Sequence, residues 1–452
     1  MPFHTAREQI AALAAGEVSS VELLDRSIKR IEAADGVLNA VAVRDFERAR
    51  SAALQADAAL ARGERRPLLG LPISVKESFN VAGLPTTWGI SGTEQIPIHE
   101  DSVAVARLKS SGAVLLGKTN VAAQLADWQT FNPVYGVTNN PWDITRTPGG
   151  SSGGSAAALA AGYVALEMGS DLNGSMRIPA HCCGVFAHRP TFALAPTRGQ
   201  APPGTPMLSV NADVEFATIG PMARSANDLA LALDVLAGPD DAQAVAYKVQ
   251  LPAPRATRLR DFRVLVLDEH PWGPLSADVH DAVNSFAVNL GKAGCKTARS
   301  SPLLPDLGTM AGTFVKLLMA FFGAGTHQEW LDADRVRLGI AHQWRQLFQA
   351  WDVVVCPVWP TPAFPHDHSP INDRRLDIDG AKLPYQGQAM WCSVAAIAGL
   401  PATVMPVDSS SQGLPIGVQI IGPYLEDRTT IHFAELAEQA FGGFVRPPGF
   451  AD

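Results

Sequence analysis

The sequence lacks any apolar run near the ~18 residues that mark a membrane-spanning helix. Its most apolar window, Phe314 to Gly325, is short and contains Lys316. The start, Met1 to Ser20, has no basic stretch leading into an apolar one, so no secretory signal is expected. Cysteine is sparse: five residues, an odd number without regular spacing, which argues for a reduced, cytoplasmic protein rather than a disulfide framework. No long Lys/Arg run occurs and the net charge is −8, so neither nucleic acid nor an anionic membrane is an expected partner. Metal-ligand spacing is missing apart from Pro365-His366-Asp367-His368, which has no matching second cluster and reads as a solvated loop. No metal and no cofactor is therefore expected.

What is present suits a globular protein of 452 residues: 47% hydrophobic and 18% charged. Strand and helix patterns alternate, which predicts an α/β sheet covered on both faces. Residues 5–65 read as helical, with a break at Gly16 and a capping box of Ser19 and Glu22 opening the second helix. Short strands are expected at 70–75, entering a loop at Lys76, and at 113–116, 165–168, 262–267, 353–356, 402–405 and 417–421. Helices are expected at 156–163, 226–236 and 429–441. Residues 133–155 form a long loop, and the Pro/Gly-rich stretch 196–206 is a loop and candidate lid. No linker cuts the chain. A single domain is expected, with a helical region at about 1–65, a core at 66–238, a variable substrate-side region at 240–390 and closing strands and helix at 391–452. The weakest junction is 238–258, where a subdomain could be inserted.

Three motifs mislead. Gly112-Ala-Val-Leu-Leu-Gly117-Lys118-Thr119 fits the phosphate-loop pattern, but a helix precedes it and its interior is β-like and apolar, so a strand ending in a turn is the better reading. Gly149-Gly150-Ser151-Ser152-Gly153 fits the nucleophile elbow, but the preceding stretch has turn chemistry, and the late histidine, His432, falls in an amphipathic helix. Cys182-Cys183 reads as a pair of buried small residues.

Two serines and a lysine carry more weight. Ser151 lies in Thr147–Ser155, Ser175 in Gly169–Ala180 and Lys76 in Gly70–Gly83, each a glycine-containing setting, and no histidine is placed as base for either serine. A serine nucleophile needs a base and oxyanion donors. A buried neutral lysine can be the first, and glycine-rich turns expose backbone N–H groups for the second. The pattern points to acyl transfer, most simply hydrolysis of amide-type bonds.

These segments resemble the amidase signature family: PISVKESFNVAGLPTT around Lys76, GKTN (Gly117–Asn120), GVTNNPWDITRTPGGSSGGSAAALAAG (Gly136–Gly162), GSDLNGSMRIPA, GPMARSANDLALALDVLAGP (Gly220–Pro239) and GLPIGVQIIGP (Gly413–Pro423). The resemblance runs from about Glu22 to Glu438 and is weakest over 240–390. It implies one large α/β domain around a mixed, twisted sheet, and a Ser–Ser–Lys triad. Ser175 is then the nucleophile, Ser151 the bridging serine after a cis Gly150–Ser151 peptide, and Lys76 the base. Backbone N–H groups of Leu172, Asn173, Gly174 and Ser175 would form the oxyanion hole, with Asp171 and Arg177 bracing the turn.

The family usually has two glycines before the nucleophile; here they are Asn173 and Gly174. Asn tolerates φ > 0, so the hole keeps its shape while a side chain enters beside the scissile carbonyl. Asn173 is expected to donate to, or select for, the group flanking that carbonyl. The family's tRNA-dependent transamidase subunit has acidic and polar residues after its GKTN-like motif, where this chain has Val121-Ala-Ala-Gln-Leu-Ala-Asp-Trp128. A stand-alone hydrolase of small hydrophobic or aryl amides, or of carbamates, is expected; a partner-dependent amidotransferase subunit is the other reading, and homo-oligomerisation is plausible. Candidate substrate-binding residues are Trp88, Gln124, Trp128, Met207, Met390 and Trp391, with Phe314, Leu318 and Tyr385 nearby in kind.

Overall fold

The computed structural model describes residues 3–206 and 215–450. Met207 lies outside them. Eleven strands form one sheet: β1 Val41–Arg44, β2 Pro72–Lys76, β3 Val114–Thr119, β4 Leu166–Asp171, β5 Phe186–Arg189, β6 Thr218–Ala223, β7 Arg263–Val266, β8 Lys296–Ala298, β9 Val353–Pro357, β10 Ala402–Ser409 and β11 Pro415–Ile421. Their order is β1-β3-β2-β4-β6-β5-β10-β11-β9-β7-β8. β2 runs parallel to β3 and β4, β9 to β7 and β7 to β8; the remaining pairs are antiparallel. The expected mixed α/β sheet is thus present. β7, β8 and β9, from the variable region, extend this same sheet rather than building one of their own.

Both faces are covered, as the apolar strands require. In β3, Leu115 joins the core on one face while Val114 and Leu116 join that on the other. In β9, Val353 and Val355 face the first core, and Val354 and Cys356 face away from it. Helices Ala226–Leu236 and Asp427–Phe441 supply Leu229, Leu233 and Phe433 to the first face. The small-residue helix Gly153–Ala160 lies on the second. It can approach closely because Gly154 has no side chain: a Cβ there would collide with the Asn120 backbone.

The N-terminal region differs from the all-helical expectation. Helices Ala6–Ala15, Ser20–Leu38 and Phe46–Ala61 are interrupted by edge strand β1, in which Val41 and Val43 pair with β3. β-branched residues at a free sheet edge outweigh helical neighbours. The Ser19/Glu22 capping box is present, Ser19 N–H donating to Glu22 Oε2 at 2.8 Å. Lys76 is the last residue of β2, not a loop residue. Gly112 precedes a strand, and Lys118 is buried and bonded to Thr86 Oγ1 at 2.9 Å and to the Pro85 carbonyl, so no phosphate cradle forms there. His432 is held by Glu435 in the closing helix. Among the described residues, no helix is long and apolar enough to cross a membrane.

Candidate active site

The parallel strands β2 and β4 end side by side, and three segments meet there. Alternation sends Ile73 and Val75 into one core and leaves Ser74 and Lys76 on the opposite face, toward helix Gly153–Ala160. The loop before that helix carries Ser151, after a cis Gly150–Ser151 peptide. Lys76 Nζ donates to Ser151 Oγ at 2.7 Å and to Ser170 Oγ at 3.0 Å, and lies 3.4 Å from the Ser170 carbonyl. Lys76 and Ser151 are fully buried, and these hydrogen-bond partners of Nζ are all neutral. Burial pushes the Lys76 ammonium down to about 7, although the Asp171 carboxylate pulls the other way.

Ser175 stands on the turn between β4 and helix Arg177–Cys183. Its carbonyl accepts from Ser152 N–H at 2.9 Å, which ties the Ser175 turn to the Ser151 loop. The Ser151 and Ser175 hydroxyls make no direct hydrogen bond to each other.

Asp171 organises the turn. Its carboxylate accepts the N–H groups of Gly174 at 2.8 Å, Met176 at 3.2 Å and Arg177 at 3.3 Å. It also accepts Arg177 Nε at 3.0 Å and Nη2 at 2.9 Å. Arg177 reaches on to the Cys392 carbonyl and to Gln419 Oε1. Burial alone would raise Asp171, yet Arg177, the Arg189 guanidinium and the Gly174 N–H together hold it well below the usual carboxylate range.

Two expectations for this turn need correction. The Gly174 N–H, expected as an oxyanion donor, is instead bonded to Asp171 at 2.8 Å within the turn. The left-handed residue is Gly174, at φ 96, while Asn173 is not at positive φ. Glycine is required at 174 for a second reason: a Cβ would stand 2.6 Å from Ile178 Cδ1 and 2.8 Å from Cys392 Sγ.

A cavity of about 520 Å³ opens over Ser175, with Leu172 and Asn173 beside it. Trp128, Leu318 and Met390 are on its wall, with Trp272, Phe322 and Ile371. The wall has one ionisable side chain among the described residues, Asp127. It is locked from behind by Arg374 Nη1 at 2.5 Å and the Tyr385 hydroxyl at 2.8 Å. Trp88 and Gln124 are not on the wall: Trp88 Nε1 turns to the Ser78 carbonyl, and Gln124 is exposed. Trp391 is buried with its ring against His270, Phe314 packs on Phe216, and Tyr385 stands behind the wall, bonded to Asp127 and edge-on to Trp128. A separate polar cavity of about 650 Å³, between the hairpin Arg375–Ile378/Ala381–Pro384 and the 361–367 loop, contains none of the three residues.

Ser170, Asp127 and Arg374 escape sequence reasoning. Ser170 has a signal that could have found it: β2 pairs with β4 through Ser74–Glu167 and Val75–Met168, and continuing that register brings Ser170 toward Lys76. Arg374 meets Asp127 across 247 residues, a pairing without a local signal.

The amidase family model matches residues 22–325 and 313–431. AtzE, a 1-carboxybiuret hydrolase subunit of Pseudomonas sp. (strain ADP), is 33% identical over 441 residues, covering 92% of this chain and 93% of its own. A glutamyl-tRNA(Gln) amidotransferase subunit of Roseiflexus sp. (strain RS-1) is 31% identical over 495 residues, covering 97% and 96%. The solved inhibitor-bound complex of an s-triazine catabolic enzyme is 30% identical with a TM-score of 0.84, covering 97% of this chain and 99% of that one.

Proposed function

Since the chain belongs to the amidase signature family and is a hydrolase of carbon–nitrogen amide bonds, we propose that Lys76, Ser151 and Ser175 form its Ser–Ser–Lys triad and that it cleaves small hydrophobic or aryl amides. The observation that carries the triad is the fully buried Lys76 Nζ, 2.7 Å from Ser151 Oγ, with its proton affinity lowered to about 7. At that value a large fraction of Lys76 is neutral and able to accept a proton near pH 7.

Neutral Lys76 takes the Ser151 proton as Ser151 takes that of Ser175, and Ser175 Oγ attacks the carbonyl carbon. The Ser151–Ser175 hydrogen bond closes when substrate seats, since catalytic contacts tighten in the Michaelis complex. The oxyanion is held by N–H groups of Leu172, Asn173 and Ser175. Collapse breaks the C–N bond as Ser151 returns a proton to the departing amine. Water, deprotonated by the same relay, then releases the acid and regenerates Ser175.

The apolar wall of Trp128, Leu318, Met390 and Phe322 supports hydrophobic or aryl substrates. A carbamate meets the same relay and oxyanion donors, and is the second reading. The relatives named as subunits raise a third, a chain that works with a partner. Against a carboxylate-bearing substrate stands the wall itself, whose one charged group among the described residues is the carboxylate of Asp127. Release of para-nitroaniline from an acyl para-nitroanilide tests the proposal. Turnover by the purified chain that is lost in Ser175→Ala is expected; turnover that survives in Ser175→Ala refutes the triad, and no turnover of any anilide or carbamate refutes the stand-alone hydrolase.

A further inference from the structure

The catalytic cavity is lined by a polar side chain with no hydrogen-bond partner among the described residues. Asn173 is 7% exposed, and its Oδ1 is sealed from solvent without a hydrogen bond. Its backbone is well tied, for its carbonyl accepts Trp128 Nε1 at 3.0 Å. Asn173 thus sits on a fixed segment, two residues before Ser175, and lines the same cavity.

An orphaned buried acceptor costs about 1–3 kcal/mol, and native proteins satisfy more than about nine in ten of them. Here the position is also one where backbone geometry asks for nothing special, because Asn173 is not at positive φ. Neither fold nor capping thus accounts for the carboxamide. What remains is a ligand that meets the carboxamide as the side chain turns toward the cavity. A half-turn about χ2 exchanges Oδ1 and Nδ2 at nearly constant shape, so either a donor or an acceptor can be turned to the substrate.

Resting on the reading of this cavity as the amidohydrolase site, we propose that Asn173 determines specificity by hydrogen-bonding the atom that flanks the scissile carbonyl. It would favour substrates in which that atom is a neutral oxygen or N–H, the carbamate and urea class, over simple alkyl amides. The surroundings fit a neutral group. Leu172 precedes Asn173, Trp128 bonds its carbonyl, and the one ionisable wall side chain among the described residues, Asp127, already faces Arg374 and Tyr385. An anionic flanking group would find no cation there among the described residues. A site built with buried polar groups rejects an analogue that leaves them unpaired far more strongly than an apolar pocket rejects a missing methylene.

The test uses two probes differing by one atom, ethyl N-(para-nitrophenyl)carbamate and para-nitrobutyranilide, in which an oxygen replaces a methylene and the released amine is the same. The readout is the ratio of kcat/KM values, carbamate over anilide, since the 173 backbone also serves the oxyanion and absolute rates will move. The ratio is expected to fall about tenfold in Asn173→Ala, the worth of one hydrogen bond. The same fall is expected in Asn173→Gly, which serves if the alanine variant does not fold. An unchanged ratio in an active variant overturns the proposal. Wild-type protein that releases amine from neither probe instead overturns the amidohydrolase reading on which it rests.

Discussion

Lys76 Nζ and Ser151 Oγ lie 2.7 Å apart in a fully buried pocket where the hydrogen-bond partners of the ammonium are hydroxyls and a carbonyl. A salt-bridged lysine would be held protonated; this one is disposed to lose its proton. The relationship makes a pH-dependent claim. The base form of Lys76 accumulates as pH rises through about 7, so kcat/KM for an anilide should climb on the acid side of that value and level off above it. Lys76→Arg should remove activity by about a thousandfold or more, because guanidinium does not deprotonate. A rate flat from pH 5 to pH 9 would contradict the assignment.

The same group affects stability with a definite sign. In the unfolded chain Lys76 binds its proton up to about 10.5, whereas the native state gives it up at about 7. Folding therefore carries a penalty that grows as pH falls from about 10.5 to about 7 and is constant below. Lys76→Met should be stabilised relative to wild type more at pH 6 than at pH 10, in urea titrations at both values. A larger gain at pH 10 would mean that the lysine is charged and paired.

Asp171 holds the Ser175 turn and neutralises Arg177 and, less closely, Arg189. Replacing it with Asn leaves buried guanidinium charge uncompensated, which costs about 3–5 kcal/mol. Chemical denaturation of Asp171→Asn should give a loss in that range, together with a fall in kcat as Gly174 N–H loses its acceptor. A loss below about 1 kcal/mol would show that the pair is not the brace described.

Gly174→Ala places a Cβ against Ile178 and Cys392 at φ 96. Overpacking and backbone strain together should lower stability by about 1–3 kcal/mol and kcat by about tenfold or more, because the neighbouring oxyanion N–H groups shift with the turn. Wild-type kcat in this variant would exclude the turn from the reaction.

Leu318→Asp tests the cavity. Leu318 is half-buried on helix Leu307–Phe321 and lines the wall. A carboxylate there should raise KM for a para-nitroanilide by about tenfold or more, with little change in melting temperature. Equal KM in both proteins would place the aryl group elsewhere.

Local signals explain what is legible in the sequence. The central and closing strands, the helix 226–236 and the capping box rest on short-range periodicity, and each is present. The three residues Lys76, Ser151 and Ser175 are readable because each sits in its own distinctive segment, although only folding brings Lys76 and Ser151, 75 positions apart, into contact. β1 reads as helix because its four residues, Val41–Arg44, lie between two strong helices. β5 and β6 have no such signal: Phe186–Arg189 and Thr218–Ala223 are short and contain His188, Arg189, Gly220 and Pro221. Buried hydrogen bonds such as Arg189 to the Leu400 carbonyl satisfy these polar groups, and no sequence pattern announces them. The substrate wall is least legible, since an aromatic or Met residue looks the same in core and cavity. Trp391 and Phe314 fall to the core, while Trp128 and Met390 line the space over Ser175.

The central claim, that Ser175 forms the acyl-enzyme, is tested most directly by trapping it. Wild-type protein turning over a slowly deacylating acyl anilide would be acid-quenched, weighed intact and mapped by peptide mass spectrometry. The predicted result is a single acyl adduct on the peptide carrying Ser175, absent from Ser175→Ala. An adduct on Ser151 or on a cysteine, or steady turnover with no adduct on Ser175, would contradict it.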